Sequence, residues 1–248
     1  MTKYIMYVAE GEEMKILSFG AGVNSTALLV LHNGGKCNLD AVVFADTGSE
    51  HPETYEYIKK HIEPLCQKLA LPFHYVSYGD LYQDYWEKQI IPFRAFRSCT
   101  DKYKIRPIKK FVKSTYGEEA KYIIGIDYGE KHRAERFRGS NFEFPLIDMQ
   151  IDREGCKSII RDFGLPIPIK SGCFFCPFTS KRGWKNLLEN HRELFLKAEA
   201  FEKNSAKYPK FTLTNKLSLK QIREAIEKQK SLCSWVEEKE NPCLFCHS

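Results

Sequence analysis

The chain reads as an α/β protein, a Rossmann-like doubly wound parallel sheet followed by a cysteine-bearing, mainly helical C-terminal part. Three observations predict this. Short β-branched and aromatic runs alternate with stretches of helical periodicity through the first half of the chain. Two of those runs end in small and hydroxylated residues just before a helical pattern, at Leu17 to Thr26 and at Val43 to Tyr55. That layout offers backbone N–H groups and a helix N-terminus to an anion, and two such units in tandem point to a nucleotide.

The elements follow in order. Lys15 to Phe19 is a short apolar run, then comes a loop, then Ser25 to His32 with helical spacing. Asp40 to Ala45 is continuous and β-branched, as a strand buried on both faces requires. Pro52 suits a first helical position, and Tyr55, Ile58, Ile62, Leu65 and Leu69 recur at helical intervals. Phe73 to Ser77 is the third strand, Ile105 to Ser114 a helix, Tyr122 to Ile126 a fourth strand, and Pro145 to Asp148 is expected to return the chain to the sheet. Ligands of such a sheet sit beyond the carboxyl ends of its strands. After about residue 151 the pattern changes to cysteine-bearing loops. A charged helix over Lys181 to Lys203, a linker over Lys207 to Lys216 and an amphipathic helix over Leu217 to Lys230 follow. The expected division is a nucleotide-binding domain over residues 14–150 and a metal-binding, helical region over 151–248. Residues 1 to 13 read as a short extra strand, an arm, or a consequence of start-site choice.

Bulk properties narrow the function. At 248 residues the chain has room for a sizeable core. It holds no apolar run of about 18 residues, and Glu10, Glu12 and Glu13 stand where a signal peptide needs an apolar stretch, so a cytoplasmic protein with no membrane partner is expected. Nine cysteines in such a chain argue for metal binding or thiol chemistry rather than disulfides. Residues 94–138 carry thirteen Lys and Arg against six Asp and Glu, which is either a solvated basic face or a surface for phosphates and nucleic acid.

Several side chains suit particular chemistry. Asp46, a carboxylate at a strand end, is placed to orient a magnesium ion or a ribose; the plainer reading is a helix cap. Arg133, after the fourth strand, suits a bidentate contact with an anion, and Lys104 and Arg106 stand two apart just before a helix that Pro107 starts. Cys173-Phe174-Phe175-Cys176-Pro177 is a C-x-x-C in a tight turn after Gly172, able to aim two thiolates at one metal, and Cys99 and Cys156 are further candidates. Four thiolates suit an iron-sulfur cluster or a structural zinc equally. Cys37 and Cys66 fall within apolar patterns and read as core thiols. Phe174, Phe175, Phe178 and Trp184 read as packing around a metal site before a base-stacking platform. The tail carries Cys233 and then Cys243-Leu244-Phe245-Cys246-His247, whose spacing is that of c-type haem attachment. Without an export signal, a second metal site or a redox-active thiol pair is the better reading.

Asp46-Thr47-Gly48-Ser49-Glu50-His51-Pro52-Glu53-Thr54-Tyr55 matches D-T-G-x-x-x-P-E-T-Y, and with the upstream loop it resembles the phosphoadenylyl-sulfate (PAPS) reductase family of the PP-loop, or adenine nucleotide alpha-hydrolase-like, superfamily. Against the superfamily's S-G-G-x-D-S, this chain reads Gly20-Ala21-Gly22-Val23-Asn24-Ser25, with Gly20 for the first Ser and Asn24 for the Asp. Cys99 to Pro107 resembles C-C-x-x-R-K-x-x-P, with Thr100 for the second cysteine, and Gly125 to Arg133 resembles G-I-x-x-x-E-x-x-R. The resemblance covers about residues 15 to 180. It implies binding of ATP or of a sulfated adenylate (PAPS or APS) by Ser18, Gly20, Gly22, Asn24, Ser25, Thr26, Asp46, Thr47, Gly48, Arg106 and Gly125, with Mg as a companion ion. Catalytic roles fall to Asp46, Lys104 and Arg133. It also implies a 4Fe-4S cluster, with zinc as the alternative, on Cys99, Cys156, Cys173 and Cys176, with Cys156 as the candidate for the ligand that Thr100 leaves missing.

Three functions follow from the resemblance. ATP-dependent sulfuration of tRNA or DNA, with a cysteine desulfurase or a thiol reductant as partner, comes first. Reduction of a sulfonucleotide with release of sulfite is the alternative, favoured by Gly20 and Asn24. A non-catalytic, metal-stabilised nucleotide or nucleic-acid binding module is the third. The tail lacks the Glu and Gly of the reductases' E-C-G-x-H motif, so it assigns that role to neither Cys243 nor Cys246.

Overall fold

The computed structural model describes residues 13–137, 141–214 and 216–237. The expectations for residues 1–12, for Cys243, Cys246 and His247, and for the side chain of Cys233 lie outside the described residues. In chain order the elements begin with β1 (Lys15–Phe19), α1 (Val23–Asn33), β2 (Ala41–Ala45) and α2 (Pro52–Tyr57). α2 runs through a π-helical turn, Ile58–Ile62, into α3 (Glu63–Lys68), and β3 (Phe73–Val76) follows. Then come α4 (Leu81–Glu87), the single turn α5 (Ser98–Thr100), a second π-helical turn at Asp101–Ile105, α6 (Arg106–Tyr116), β4 (Lys121–Ile124), β5 (Phe142–Glu143), α7 (Pro145–Asp148) and α8 (Arg153–Asp162). α9 (Lys181–Asn190), α10 (Arg192–Lys203) and α11 (Leu219–Glu237) complete the order. The described residues form two compact units, those up to residue 79 with 100–172 and residues 80–99 with those from 173 onward. Among the described residues no helix is long and apolar enough to cross a membrane.

The first unit is built on a five-stranded sheet in the order β3-β2-β1-β4-β5, parallel throughout. Successive residues of a strand point to opposite faces, and both faces here are covered. Leu17, Phe19, Val42 and Phe44 pack on one side with Leu28 of α1, Ile58, Ile62 and Ile160 of α8. Ile16, Ala41, Val43 and Ala45 pack on the other against Ile108 and Val112 of α6. Every residue of β2 is buried, which is why its sequence shows no alternation. α1 is buried from Val23 to Leu31 because the sheet lies on one side of it and α8 on the other.

Two expectations are corrected within this unit. Pro145 to Asp148 is a helical turn, since Pro145 takes a first helical position where its missing N–H costs nothing; the returning strand is Phe142–Glu143, with Phe142 opposite Tyr122. Residues 153–162, expected as cysteine-bearing loop, form α8, whose N-cap Asp152 accepts the Gly155 N–H at 2.8 Å.

The second unit has an aromatic core. Tyr82 of α4 stacks on Phe201 at 5.0 Å, and Phe175 lies 4.5 Å from the same ring. Phe174, Phe175 and Trp184 are buried, in line with the packing role read for them, whereas Phe178, read the same way, is an exposed ring. The single helix expected over 181–203 is broken at His191, whose ψ of 57° is not helical, and becomes α9 and α10. Glu202 is a buried carboxylate that accepts the N–H groups of Leu213 and Leu219 at 2.7 Å each, so it pins the intervening turns and caps α11; burial pushes its pKa up. Arg223 of α11 donates from Nε and Nη2 to the two oxygens of Glu199 of α10 and from Nη1 to Glu227.

Leu28 tests the layering. Leu28→Ala should lower the unfolding free energy by about 2–5 kcal/mol in a urea titration, whereas the exposed Leu196→Ala should change it by about 0.5 kcal/mol. Equal losses would contradict the assigned core.

Candidate nucleotide site

The winding of the sheet reverses at β1. The chain leaves β1 for β2 on one side and returns to β4 on the other, so the connections at the carboxyl ends of β1 and β4 part and leave a crevice. A cleft of about 750 Å³ occupies it. From β1 and its loop come Ser18, Gly20, Gly22, Val23, Asn24 and Ser25; from β4, Ile124, Gly125, Asp127, Gly129, Glu130 and Arg133; Asp152, Arg153, Glu154, Lys170 and Ser171 close the rim.

The loop is preset to receive an anion. Ala21 sits at φ 53°, the left-handed region that costs a non-glycine residue about 1–2 kcal/mol. The turn it makes sends the chain from β1 into α1 at Gly22. Ser25 folds back on that turn: its hydroxyl donates to Gly22 O at 3.1 Å and accepts the Gly22 N–H at 3.3 Å. The first intrahelical bond is Thr26 N–H to Gly22 O, which leaves the N–H groups of Val23, Asn24 and Ser25 without helical acceptors at the positive end of the helix dipole. Gly125 passes close beneath: a Cβ there would lie 3.0 Å from Ser25 N and 3.2 Å from Asn24, so only glycine lets β4 approach.

Asn24 joins three segments. Its amide donates to Asp127 Oδ2 at 2.9 Å and to Gly125 O at 3.2 Å, and its oxygen accepts from Arg153 at 3.3 Å. An aspartate at position 24 would set a second carboxylate against buried Asp127, which itself also accepts the Glu130 N–H at 3.2 Å. Where the superfamily pattern has an aspartate, this chain thus places a neutral amide, and the carboxylate beside it belongs to Asp127 of the β4 loop. Glu130 in turn pairs with Arg133.

The Asp46 to Tyr55 segment holds itself together beside β1. Asp46 Oδ1 accepts the Gly48 N–H at 2.8 Å and the Tyr55 hydroxyl at 2.6 Å, and the Glu50 N–H reaches the same hydroxyl at 3.4 Å. Burial and the Asp46 carboxylate push the Tyr55 phenol well above its usual range, so it stays a donor. Gly48 has φ 69°, as the turn demands. The fixed offset between Asp and Tyr is thus a strand end and the first turn of a helix tied by one short hydrogen bond. Glu50, with its side chain 1% exposed, accepts from Lys104 Nζ at 2.6 Å and from the Thr47 hydroxyl at 3.2 Å.

The expected residues divide accordingly. Ser18, Gly20, Gly22, Asn24, Ser25, Gly125 and Arg133 line the cleft. Thr26 is buried within α1, Asp46, Thr47 and Gly48 form the neighbouring turn, Lys104 is committed to Glu50, and Arg106 pairs with Asp101 at 2.7 Å on an exposed face; none of these is among the lining residues. Sequence reasoning missed Asp152, Arg153, Glu154, Lys170 and Ser171. The Asp152 cap three residues before Gly155, and Lys170-Ser171-Gly172 just ahead of the C-x-x-C, were the available signals.

The cysteines divide between the two units. Cys156 lies in the apolar core of the first unit, and burial pushes its thiol up to about 12. Burial likewise raises Cys37 to about 11 and Cys66 to about 12, in keeping with core thiols. Cys99, Cys173 and Cys176 belong to the second unit. Cys176 N–H donates to Cys173 O at 2.9 Å in a tight turn, and Arg94 Nε donates to Pro177 O at 2.6 Å, tying the Cys99 segment to it. Within neither unit, among the described residues, do three His, Cys, Asp or Glu side chains gather around a point able to hold a metal ion.

Residues 15–136 match the Phosphoadenosine phosphosulfate reductase domain. Two uncharacterized proteins of Methanocaldococcus jannaschii are similar to the chain. One is 24% identical over 200 residues, 73% of this chain and 45% of its own length; the other is 32% identical over 129 residues, 50% of this chain and 25% of its own length. The chain spans less than half the length of these curated relatives. Among solved structures, the U34-tRNA thiolase NcsA from Methanococcus maripaludis with its 4Fe-4S cluster aligns over 77% of this chain and 71% of its own, at 14% identity and a TM-score of 0.45.

The Asn24–Asp127 pair yields a charge test. Asn24→Asp should destabilise the protein by about 1–3 kcal/mol, and more at pH 8 than at pH 5, because neighbouring carboxylates hold the folded-state pKa up and stability falls as pH rises through it. Adding Asp127→Asn should recover most of the loss in the same denaturation assay. A single variant as stable as the parent at pH 8 would remove the pairing.

Proposed function

The chain belongs, through residues 15–136, to the phosphoadenosine phosphosulfate reductase domain family, and from that premise we propose that it binds an adenine nucleotide in the β1–β4 cleft and uses it in sulfur transfer to a nucleic acid. The observation that carries this reading is the cleft itself, at the reversal of the sheet, with the unpaired N–H groups of Val23, Asn24 and Ser25 at its floor. Phosphate oxygens accept from those groups, and Arg153 and Lys170 supply charge from the rim. The lining carries Asp127, Glu130, Asp152 and Glu154 against Arg133, Arg153 and Lys170, so a triphosphate enters with Mg as countercharge rather than bare. An oxygen of the acceptor attacks the α-phosphorus and pyrophosphate leaves; donor sulfur then displaces the adenylate oxygen and AMP departs. A cysteine desulfurase is the proposed source of that sulfur, as a persulfide, and a thiol reductant supplies the two electrons that free it on the acceptor, being oxidised to a disulfide.

Any metal the chain holds, a 4Fe-4S cluster or zinc, is proposed to bind the thiols of Cys99, Cys173 and Cys176, which would have to draw together around it, rather than Cys156 in the apolar core. Protein purified without oxygen should contain iron and acid-labile sulfide, or zinc, and serine at Cys99, Cys173 or Cys176 should lower that content. Serine at Cys156 should lower stability and leave the metal unchanged. Loss of metal in the Cys156 variant would restore the four-cysteine set.

A second reading, reduction of a sulfonucleotide, is favoured by Gly20 and Asn24, which remove a hydroxyl and a carboxylate from the loop pattern. Turnover separates the two. Pyrophosphate released from ATP, raised by added tRNA or DNA, is the expected result; sulfite released from PAPS or APS in the presence of thiol, with ATP untouched, would establish the reductase instead.

A further inference from the structure

The second unit carries an exposed surface that neither the cleft nor the cysteines use. Four large aromatic rings stand out of it: Phe96 is 80% exposed, Phe211 52%, Tyr208 42% and Phe178 40%. They come from three segments stitched to one another. Phe93 meets Tyr208 and Phe211 edge-on at 5.0 Å each, and the Arg94 and Arg97 guanidinium groups lie over the Phe178 ring at 5.5 and 5.4 Å. A cleft of about 340 Å³ opens among them, with Phe93, Phe96, Tyr208 and Phe211 as its rings and Arg94 at its edge.

The charge of the same segments is one-sided. Residues 93–97, 178–185 and 203–216 contain nine Lys and Arg and not a single Asp or Glu. Leaving such rings in water costs free energy that a closed core would recover, and a protein partner or a second copy would cover them without needing this excess of cations. Flat rings alternating with cations match a polyanion that has flat apolar groups of its own. Single-stranded nucleic acid is that ligand: bases stack on aromatic faces and phosphates pair with Lys and Arg, largely regardless of sequence.

We propose that this face of the second unit binds unpaired nucleotides, with at least one base seated among Phe93, Phe96, Tyr208 and Phe211 and the backbone held by Arg94, Arg97, Lys207 and Lys210. It names the acceptor surface for the sulfur transfer proposed above and rests on that reading for its purpose, though not for its binding chemistry. A duplex keeps its bases stacked inside and offers these rings nothing, so the face selects single strands, loops and splayed ends.

The test is fluorescence anisotropy with the full chain and no ATP, using a labelled 12-nucleotide single-stranded RNA, the same sequence as single-stranded DNA, and the corresponding duplex. Single strands of either kind should bind more tightly than the duplex. Phe96→Ala and Phe211→Ala should each weaken single-strand binding by about 5- to 100-fold, while Lys207→Gln with Lys210→Gln should weaken it and flatten the salt dependence. Near-UV circular dichroism checks that the variants remain folded, and these exposed positions carry no core packing. Single-strand affinity unchanged in both aromatic variants would overturn the proposal, as would equal binding of duplex, or sizing that shows Phe96→Ala dissolving a dimer while RNA affinity stays the same. Because no nucleotide is turned over, a chain that never cleaves ATP still gives a decisive answer here.

Discussion

Three backbone N–H groups at the start of α1 set the character of the first unit. A helix cannot satisfy its own first-turn donors, and a parallel sheet whose winding reverses between β1 and β4 leaves the space in front of them open. The rest follows from keeping that space open and shaped. Ala21 accepts a left-handed backbone so that β1 turns directly into α1, Ser25 braces Gly22, and Gly125 lets β4 pass beneath without a side chain in the way. Asn24 fastens the result, bridging the β4 loop and Arg153 through one neutral amide.

The neighbouring Asp46 to Tyr55 turn has a different logic. Its carboxylate and phenol bind each other, and its buried Glu50 holds Lys104. The pair is costly to break by removing the lysine, since the buried Glu50 carboxylate is then stranded away from water. The pair therefore fixes the entry to α6 against the end of β2, and the turn acts as a rigid wall. A motif with sharp sequence offsets owes them here to mutual hydrogen bonding, which sequence alone does not distinguish from ligand contact.

Much of the first unit was legible beforehand. The β-branched runs at 15–19, 41–45 and 73–76 and the periodic helices between them are local signals, and the burial of β2 on both faces leaves its mark as an unbroken apolar run. Boundaries that depend on long-range contact were not legible. α8 looks like loop because its glycine and cysteine are weak helix formers, and it is stabilised by packing on α1 and by the Asp152 cap. Cys156 carried the same ambiguity: beside Gly155 it resembles a ligand turn, yet the helix turns it into the core. Arg153 and Lys170 were invisible for a related reason, since they reach the cleft only once α8 and the segment following it are in place.

The central claim is that nucleotide phosphates sit on the α1 N-terminus at the β1–β4 reversal. Amide hydrogen exchange with and without ATP, PAPS or APS measures this directly, because a phosphate that accepts from the first-turn N–H groups slows their exchange. Protection should appear over residues 20–26 and 124–133 on nucleotide binding, with residues 46–50 little changed. Protection confined to the Asp46 to Glu50 turn, or nucleotide binding that leaves residues 20–26 exchanging as before, would contradict the account.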